Sequence, residues 1–419
     1  NSVEDMVPTS KTFGESYKMT STSVTFDHSN ALISQNTTTN NGYLPVPEGS
    51  QKLVLHIDKV SSQGAYNTDN TTLYYVNASG ELSSHNYGKI ELPSEGNFDF
   101  VLPLTPDVLV DGCQGLLSIS NSNWSSVLTL DVSEAYFQRG NEVAYCAWGD
   151  PTNEDTYERI TNLLSRSDLN VLDLSGIEGL DASTDWHALA NNPNILIFTN
   201  DNKAEQTNEV SKGRCTELYL ESGSPSGFYA PCSFTAEHVQ VNVPVAEDGQ
   251  VLILPFDITP SDDVHLYCLT AVTGDSVYCE RVWGMAEANS PLVYYSDTEV
   301  VLSGSGIVQS SDSDVSSEFF HGTYTPVMVI AGGYKWGTDE NGHAGFHLLR
   351  TEANLLPFSY ILKYEGGPFI PLHLPDVTTH IEDVKNTTHG PAFYDLSGRR
   401  VYDNSRGIRV SKGRKYLIK

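Results

Sequence analysis

The sequence predicts a mainly β protein, with tandem antiparallel β-sandwich domains and a short α/β or leucine-rich-repeat-like element between them. Three observations predict it. Short runs of β-branched and aromatic residues recur between Asn, Ser, Gly and Pro clusters, as strands do between turns. One segment, EDTYERITNLLSR (154–166), carries a helical period. One stretch, DLNVLDLSGIEGL, places Leu169, Leu172 and Leu174 at the L-x-x-L-x-L spacing of stacked parallel strands.

The elements follow in order. Residues 1–20 are polar and read as a flexible segment. Residues 21–133 hold STSVTFDH, QKLVLHIDKV, TTLYYVNASG, FDFVLPL, GLLSIS and SSVLTLDV, a sandwich of roughly seven strands. Residues 134–212 form a connecting element. Its helix has Tyr157, Ile160, Leu163 and Leu164 on one face behind an acidic first turn. A second apolar run, from Ile195 in NNPNILIFTNDN, follows. At most two rungs are visible, which favours a linker element packed between domains over a full solenoid. Residues 213–377 form a second β domain, from CTELYLE to FSYILKY. Residues 378–390 are a linker, and 391–419 a basic tail with a strand–turn–strand pattern around YDLSGRRV.

Length, charge and cysteines narrow the class. A chain of 419 residues accommodates two or three domains. The 53 Asp+Glu against 24 Lys+Arg give a net charge of -29, which repels phosphate and excludes nucleic acid as a natural partner. The charge is uneven: residues 393–419 hold eight basic residues and two acids, +6, which leaves -35 on the rest. No run has transmembrane length. The polar start, NSVEDMVPTS, has no initiator Met and fits a chain that begins after a removed leader. The six cysteines (113, 146, 215, 232, 268, 279) form no CxxC and match no zinc module. Cys268 and Cys279 flank a predicted hairpin at TGDS, and a bridge across it or buried free thiols are both open readings.

The tail, HIEDVKNTTHGPAFYDLSGRRVYDNSRGIRVSKGRKYLIK, resembles the C-terminal segment of secreted and surface proteins of Bacteroidetes. The matching positions are Ile381, Glu382, Val384, Tyr394 to Leu396, Gly398, Arg399, Val401, Gly407 and Gly413 to Lys419. The family's usual Tyr near Ile408–Arg409 is absent. NPNILIF, CTELYLESG, YAPCSFTAEHV, LILPFDI, EANSPLVYY, HGTYTP and LLPFSYIL are similar to a β block of the same proteins. The resemblance covers about 165–419, and residues 1–150 match nothing. It implies export, with an outer-membrane-surface or secreted home, and some relatives of the tail serve in secretion sorting. It implies no activity.

Convergent chemistry is sparse. SGSGIV (303–308) lacks the glycines of a nucleophile elbow around Ser305. His343 and His347 in HAGFH are spaced i,i+4, but Gly345 between them favours a turn entering a strand, where they stand about 13 Å apart. No cofactor is implied. Calcium is the one ion considered, because SSDSDVSSE (310–318) and GTDENG (337–342) have oxygen-rich loop composition without the EF-hand register. Trp336, beside Tyr334 in GGYKWG, is predicted to stand on an exposed loop as a stacking platform for sugar, whereas Trp148 and Trp283 read as core or inter-domain residues. In the first domain, Tyr66 in SSQGAYNTDN (61–70) and His85 in NASGELSSHN (77–86) are the candidate ligand-binding residues, on loops at one end of the sandwich.

The sequence therefore favours a non-catalytic cell-surface or secreted protein with a structural or adhesive role, whose partner is a surface protein or a glycan. A carbohydrate-binding accessory protein is the second reading. A secreted hydrolase, which needs two carboxylates roughly 5–10 Å apart, is the third.

Overall fold

The computed structural model describes residues 44–375, apart from 64–70, 91–96, 122–126, 150–151, 178, 202–203, 261–263, 275, 312–314 and 340–341. It also describes the strands Val24–Phe26, Phe393–Tyr394, Arg400–Val401, Gly407–Ser411 and Arg414–Ile418. Among the described residues the protein is mainly β, arranged in several sheets, with one α-helix, Glu154–Leu164. The 1–20 segment and the 378–390 linker lie outside the described residues.

An eight-stranded sheet dominates the first half. From one edge its order is Glu209–Val210, Leu196–Phe198, Val171–Asp173, Val143–Trp148, Val127–Arg139, Lys52–Gln63 and Phe98–Pro103, with Val24–Phe26 also paired to Val127–Arg139. The Val127–Arg139 strand runs straight through position 133, where the sequence predicted a domain boundary. The sheet is antiparallel on one side of Val143–Trp148 and parallel on the other. The repeat-like element is therefore an extension of the first sheet. A four-stranded sheet, Leu44–Pro45, Gly115–Asn121, Thr71–Val76 and Leu82–Gly88, contributes Leu73, Tyr75 and Leu116 to the same apolar cluster as Leu53, Leu55, Ile57 and Phe137 of the larger sheet.

The parallel strands are buried on both faces, which is why ILIF is an unbroken apolar run and VLDL is interrupted only by the buried Asp173. Residues alternate sides along a strand. Val143, Tyr145, Ala147, Val171, Leu196 and Phe198 face the large core. Ala144, Cys146, Leu172 and Ile197 face helix α1 (Glu154–Leu164), which covers them with Ile160, Leu163 and Leu164. Each such aliphatic side chain contributes about 1.5–3 kcal/mol on burial. Asn153 caps the helix: its Oδ1 accepts from the Asp155 amide at 3.0 Å, and Glu154 and Asp155 complement the positive helix end. Tyr157, placed on the apolar face by its spacing, is 45% exposed and leans on Trp186 at the helix margin. Gly176 is required by packing, because a Cβ there would lie 2.1 Å from the Cys146 carbonyl oxygen.

Three buried asparagines stitch the parallel stack to the next β block. Asn192 Nδ2 donates to Leu169 O, Asn170 Oδ1 and Gly227 O, each at 3.0 Å, and its Oδ1 accepts from the Asn194 amide. Asn194 bonds Glu221 O, Ser226 O and the Glu221 amide. Asn208 bonds Ile195 O, Tyr219 O and the Tyr219 amide. An asparagine carries two donors and an acceptor and can close turns that no ladder satisfies.

The second half holds the parallel pair Arg214–Glu221 and Phe234–Val243 within a four-stranded sheet. A nine-stranded sheet and the Val327–Val329/Ala353–Leu355 ribbon complete it. The predicted hairpin joins His265–Thr273 to Ser276–Arg281, and its register sets Cys279 across from Leu269 and Cys268 across from Glu280. Cys279 Sγ donates to His373 O, and Cys268 and Cys279 stand as thiols with no bridge across the hairpin. In the tail, Phe393 pairs with Val401 and Tyr394 with Arg400, and the four tail strands form a sheet of their own.

Candidate functional site

Among the described residues, two clefts border the helix-bearing part of the sheet. The first, of about 320 Å³, is lined by His56, Phe98, Asp99, Asp155, Arg159 and Asn162, among others. Behind it lies a charged network. His56 Nδ1 meets Asp99 Oδ1 at 2.9 Å, Arg159 reaches the same oxygen at 3.1 Å, and Arg159 Nε pairs with Glu134 Oε2. Glu134 is 5% exposed, and burial holds its carboxyl above the usual range, outweighing the Thr156 hydrogen bond and the Arg159 charge. The His56 hydrogen bond, with the Arg159 charge behind it, holds Asp99 below that range. Arg159 thus spans two strands from α1, with one guanidinium satisfying two carboxylates.

The second cleft, of about 260 Å³, opens beyond the carboxyl ends of Val171–Asp173 and Leu196–Phe198, against Glu209 of the strand Glu209–Val210. The loops after the first two strands wall it. Asp181, Thr184, Asn200, Asp201, Gln206 and Glu209 supply its polar groups, and Ile177, Leu180 and Trp186 its apolar side. Glu209 is buried; its Oε1 accepts from Thr199 Oγ1 at 2.6 Å and its Oε2 from the Gln206 amide at 3.0 Å. Gln206 Nε2 donates to Ala182 O at 3.1 Å, tying the two loops together.

The sequence-predicted ligand residues do not converge. Trp336 lies in the strand Tyr334–Thr338, 8% exposed, with its Nε1 donating to Gly249 O at 2.7 Å and Phe346 edge-on at 5.1 Å. Tyr334 is buried and donates to Gly367 O. The exposed-loop reading of this pair is corrected: both residues pack into a strand, and of the flanking glycines Gly333 marks close packing, since a Cβ there would lie 2.7 Å from Ile361 Cδ1. His85 is in the strand Leu82–Gly88, paired with Leu73 and edge-on to Tyr87, so it is no loop residue. The turn is confined to 77–81, where Asn77 Oδ1 accepts from the Ser79 and Glu81 amides. Tyr66 lies outside the described residues.

Trp283 reverses its expectation too. It is 64% exposed, with the Arg281 guanidinium 4.1 Å from its ring centre. Flanking Gly284 and the polar AEAN that follows were the available signal. The Trp148 side chain lies outside the described residues. His343, just ahead of the strand Ala344–Leu348, pairs with Asp339, and His347 within it bonds Gly337 O. Ser305 lies within the strand Val300–Val308. The acidic loops are only partly described, because 312–314 and 340–341 lie outside. Among the described residues no three His, Cys, Asp or Glu side chains gather as a metal-binding group. Among them, too, no helix is long and apolar enough to cross a membrane.

No protein-family model and no curated protein matches the chain. Among solved structures, tripeptidyl peptidase 2 aligns with a TM-score of 0.15 and 9% identity, over 85% of this chain and 26% of the peptidase's length. Vicilin from Capsicum annuum aligns with a TM-score of 0.12 and 12% identity, over 64% of this chain and 74% of the other. At such scores neither likeness bears on fold or activity.

Proposed function

We propose that this is an exported, non-catalytic protein of the Bacteroidetes surface type, with an adhesive or structural role outside the cytoplasm. The supporting observation is the tail: a basic segment, +6 against -35 elsewhere, whose strands pair with one another in a separate four-stranded sheet. A module that pairs only within itself, among the described strands, is suited to being read apart from the body. The body supplies tandem sandwich-like layers on which partner-binding features are displayed. The strongest ionisable cluster, His56–Asp99–Arg159–Glu134, is engaged in joining α1 to the sheet. Deleting 393–419 in the native host tests the reading. The truncated chain is expected to lose its normal extracytoplasmic address, and unchanged distribution contradicts it.

A carbohydrate-binding role is the second reading, favoured by Trp283. Trp283 is 64% exposed beside the Arg281 guanidinium, and such solvent-facing indole surface suits the C–H face of a sugar. Glycan arrays with the full chain and Trp283→Ala test it. Binding lost in the variant supports it, and an empty array for the native chain contradicts it.

A further inference from the structure

We propose that the edge strand Leu82–Gly88 pairs antiparallel with the same strand of a second copy of this chain, about a two-fold axis at His85. Among the described strands it is the last of its four-stranded sheet and pairs only with Thr71–Val76. An edge strand offers a row of backbone donors and acceptors to any extended chain that comes alongside. Proteins guard such edges with charges, prolines or short length. The other described edge strands are guarded in this way. Phe98–Pro103 carries Asp99 and Pro103, Ala246–Leu252 carries Glu247 and Asp248, Arg214–Glu221 and Arg414–Ile418 open on arginine, and the rest have four residues or fewer. Leu82–Gly88 reads LSSHNYG over seven residues, with no acid, lysine, arginine or proline. In a chain of net charge -29, an edge of that kind is where a second copy can approach.

The occupant follows from the residues that bracket the strand. Glu81 precedes it and Lys89 follows it, both exposed. With His85 set across from His85 of the second copy, Ser84 meets Asn86, Ser83 meets Tyr87, and Glu81 of each copy meets Lys89 of the other. The edge is thus complementary in charge to itself, with one opposite pair at each end. A register shifted by one residue sets neither acid against a lysine. Directly opposed residues stand about 4.5–5.5 Å apart at Cβ, within reach of these long side chains.

The strand is also held ready for pairing. Tyr87 packs partly buried against the core, donates from its hydroxyl to Pro103 O, and lies edge-on to the His85 ring at 4.7 Å. Asn77 Oδ1 accepts from the Ser79 and Glu81 amides and fixes the turn that leads in. Such preorganisation lowers the ordering cost of association. A single pair of strands buries less than a standard interface of roughly 1,600 Å², which places the dimer in the weak, micromolar class. The contact needs neither export nor a sugar, so it stands or falls apart from the proposed function.

Sedimentation velocity of the full chain over about 1–300 µM tests it, in about 0.15 M salt, where repulsion between two acidic bodies is screened beyond roughly 8 Å. A concentration-dependent shift from monomer to dimer is expected. Glu81→Lys sets like charges together at both ends of the contact, and so does Lys89→Glu. Each should weaken the dimer by roughly tenfold, about 1.4 kcal/mol. The double variant Glu81→Lys/Lys89→Glu restores two opposite pairs and should return to within about twofold of the native constant. His85→Asp places two carboxylates across the axis and should leave only monomer. Hydrogen exchange over Ser83–Asn86 should slow as the native chain is concentrated. Monomer alone at the highest concentration, single variants that dimerise like the native chain, or a double variant no better than the singles overturns the proposal.

Discussion

Replacing Asn192 with alanine removes a side chain that makes four hydrogen bonds inside the protein. Leu169 O, Gly227 O and Asn170 Oδ1 lose a donor, and the Asn194 amide loses its acceptor. A buried polar group left unsatisfied costs about 1–3 kcal/mol. Carbonyl oxygens tolerate it better than amides, so about 3–5 kcal/mol in total is the expected loss. For a large domain each kcal/mol lowers the melting temperature by roughly 2 °C, giving a drop of about 6–10 °C by calorimetry or circular dichroism. Asn191→Ala is the internal control. Asn191 is exposed and reaches only Ser165 O, so its loss should cost less than about 1 kcal/mol. If both variants melt within about 1 °C of the native chain, the asparagine stitching does not hold the parallel stack to the second β block.

Arg159→Met should destabilise by about 3–5 kcal/mol, because it strands the buried Glu134 carboxylate; a change under about 1 kcal/mol in urea titration contradicts this. The low Asp99 pKa stabilises the fold above the ordinary aspartate pKa, about 3.9, and that stability is lost as pH falls through the depressed value. Asp99→Asn should therefore flatten the acid limb of the stability curve below about pH 4, and an unchanged limb refutes the assignment. The raised Glu134 pKa acts the opposite way, its contribution fading as pH rises from the ordinary glutamate value through the raised one, so Glu134→Gln should reduce the slope there. Burial pushes the thiols of Cys215 and Cys279 up to about 12 and that of Cys146 still higher, so these three should resist Ellman's reagent at pH 8 until the chain is unfolded.

Much of the architecture is legible because apolar period reports burial directly. Ile160, Leu163 and Leu164 give α1, and Leu169, Leu172 and Leu174 give the first parallel rung. The strand Leu82–Gly88 is not legible, since SSHNY looks like a polar loop and becomes a strand by pairing with Thr71–Val76. Glycine misleads at Trp336, where it signals close approach, and informs at Trp283, where it accompanies exposure. The strand-end cleft was hidden because Asp181 and Asp201 come from separate loops and Glu209 from the next strand, and they converge only through the parallel register. The recurrence of Asn170, Asn194 and Asn208 just before successive parallel strands is a linear trace of the opposite, amino end of the stack.

The central claim is that the chain works outside the cytoplasm. Labelling intact cells of the native host with a membrane-impermeant amine reagent, then capturing this chain with an antibody to residues 44–375, tests it most directly. The account predicts labelled protein from unbroken cells, or its recovery from the medium. Labelling only after lysis, with none in the medium, contradicts it.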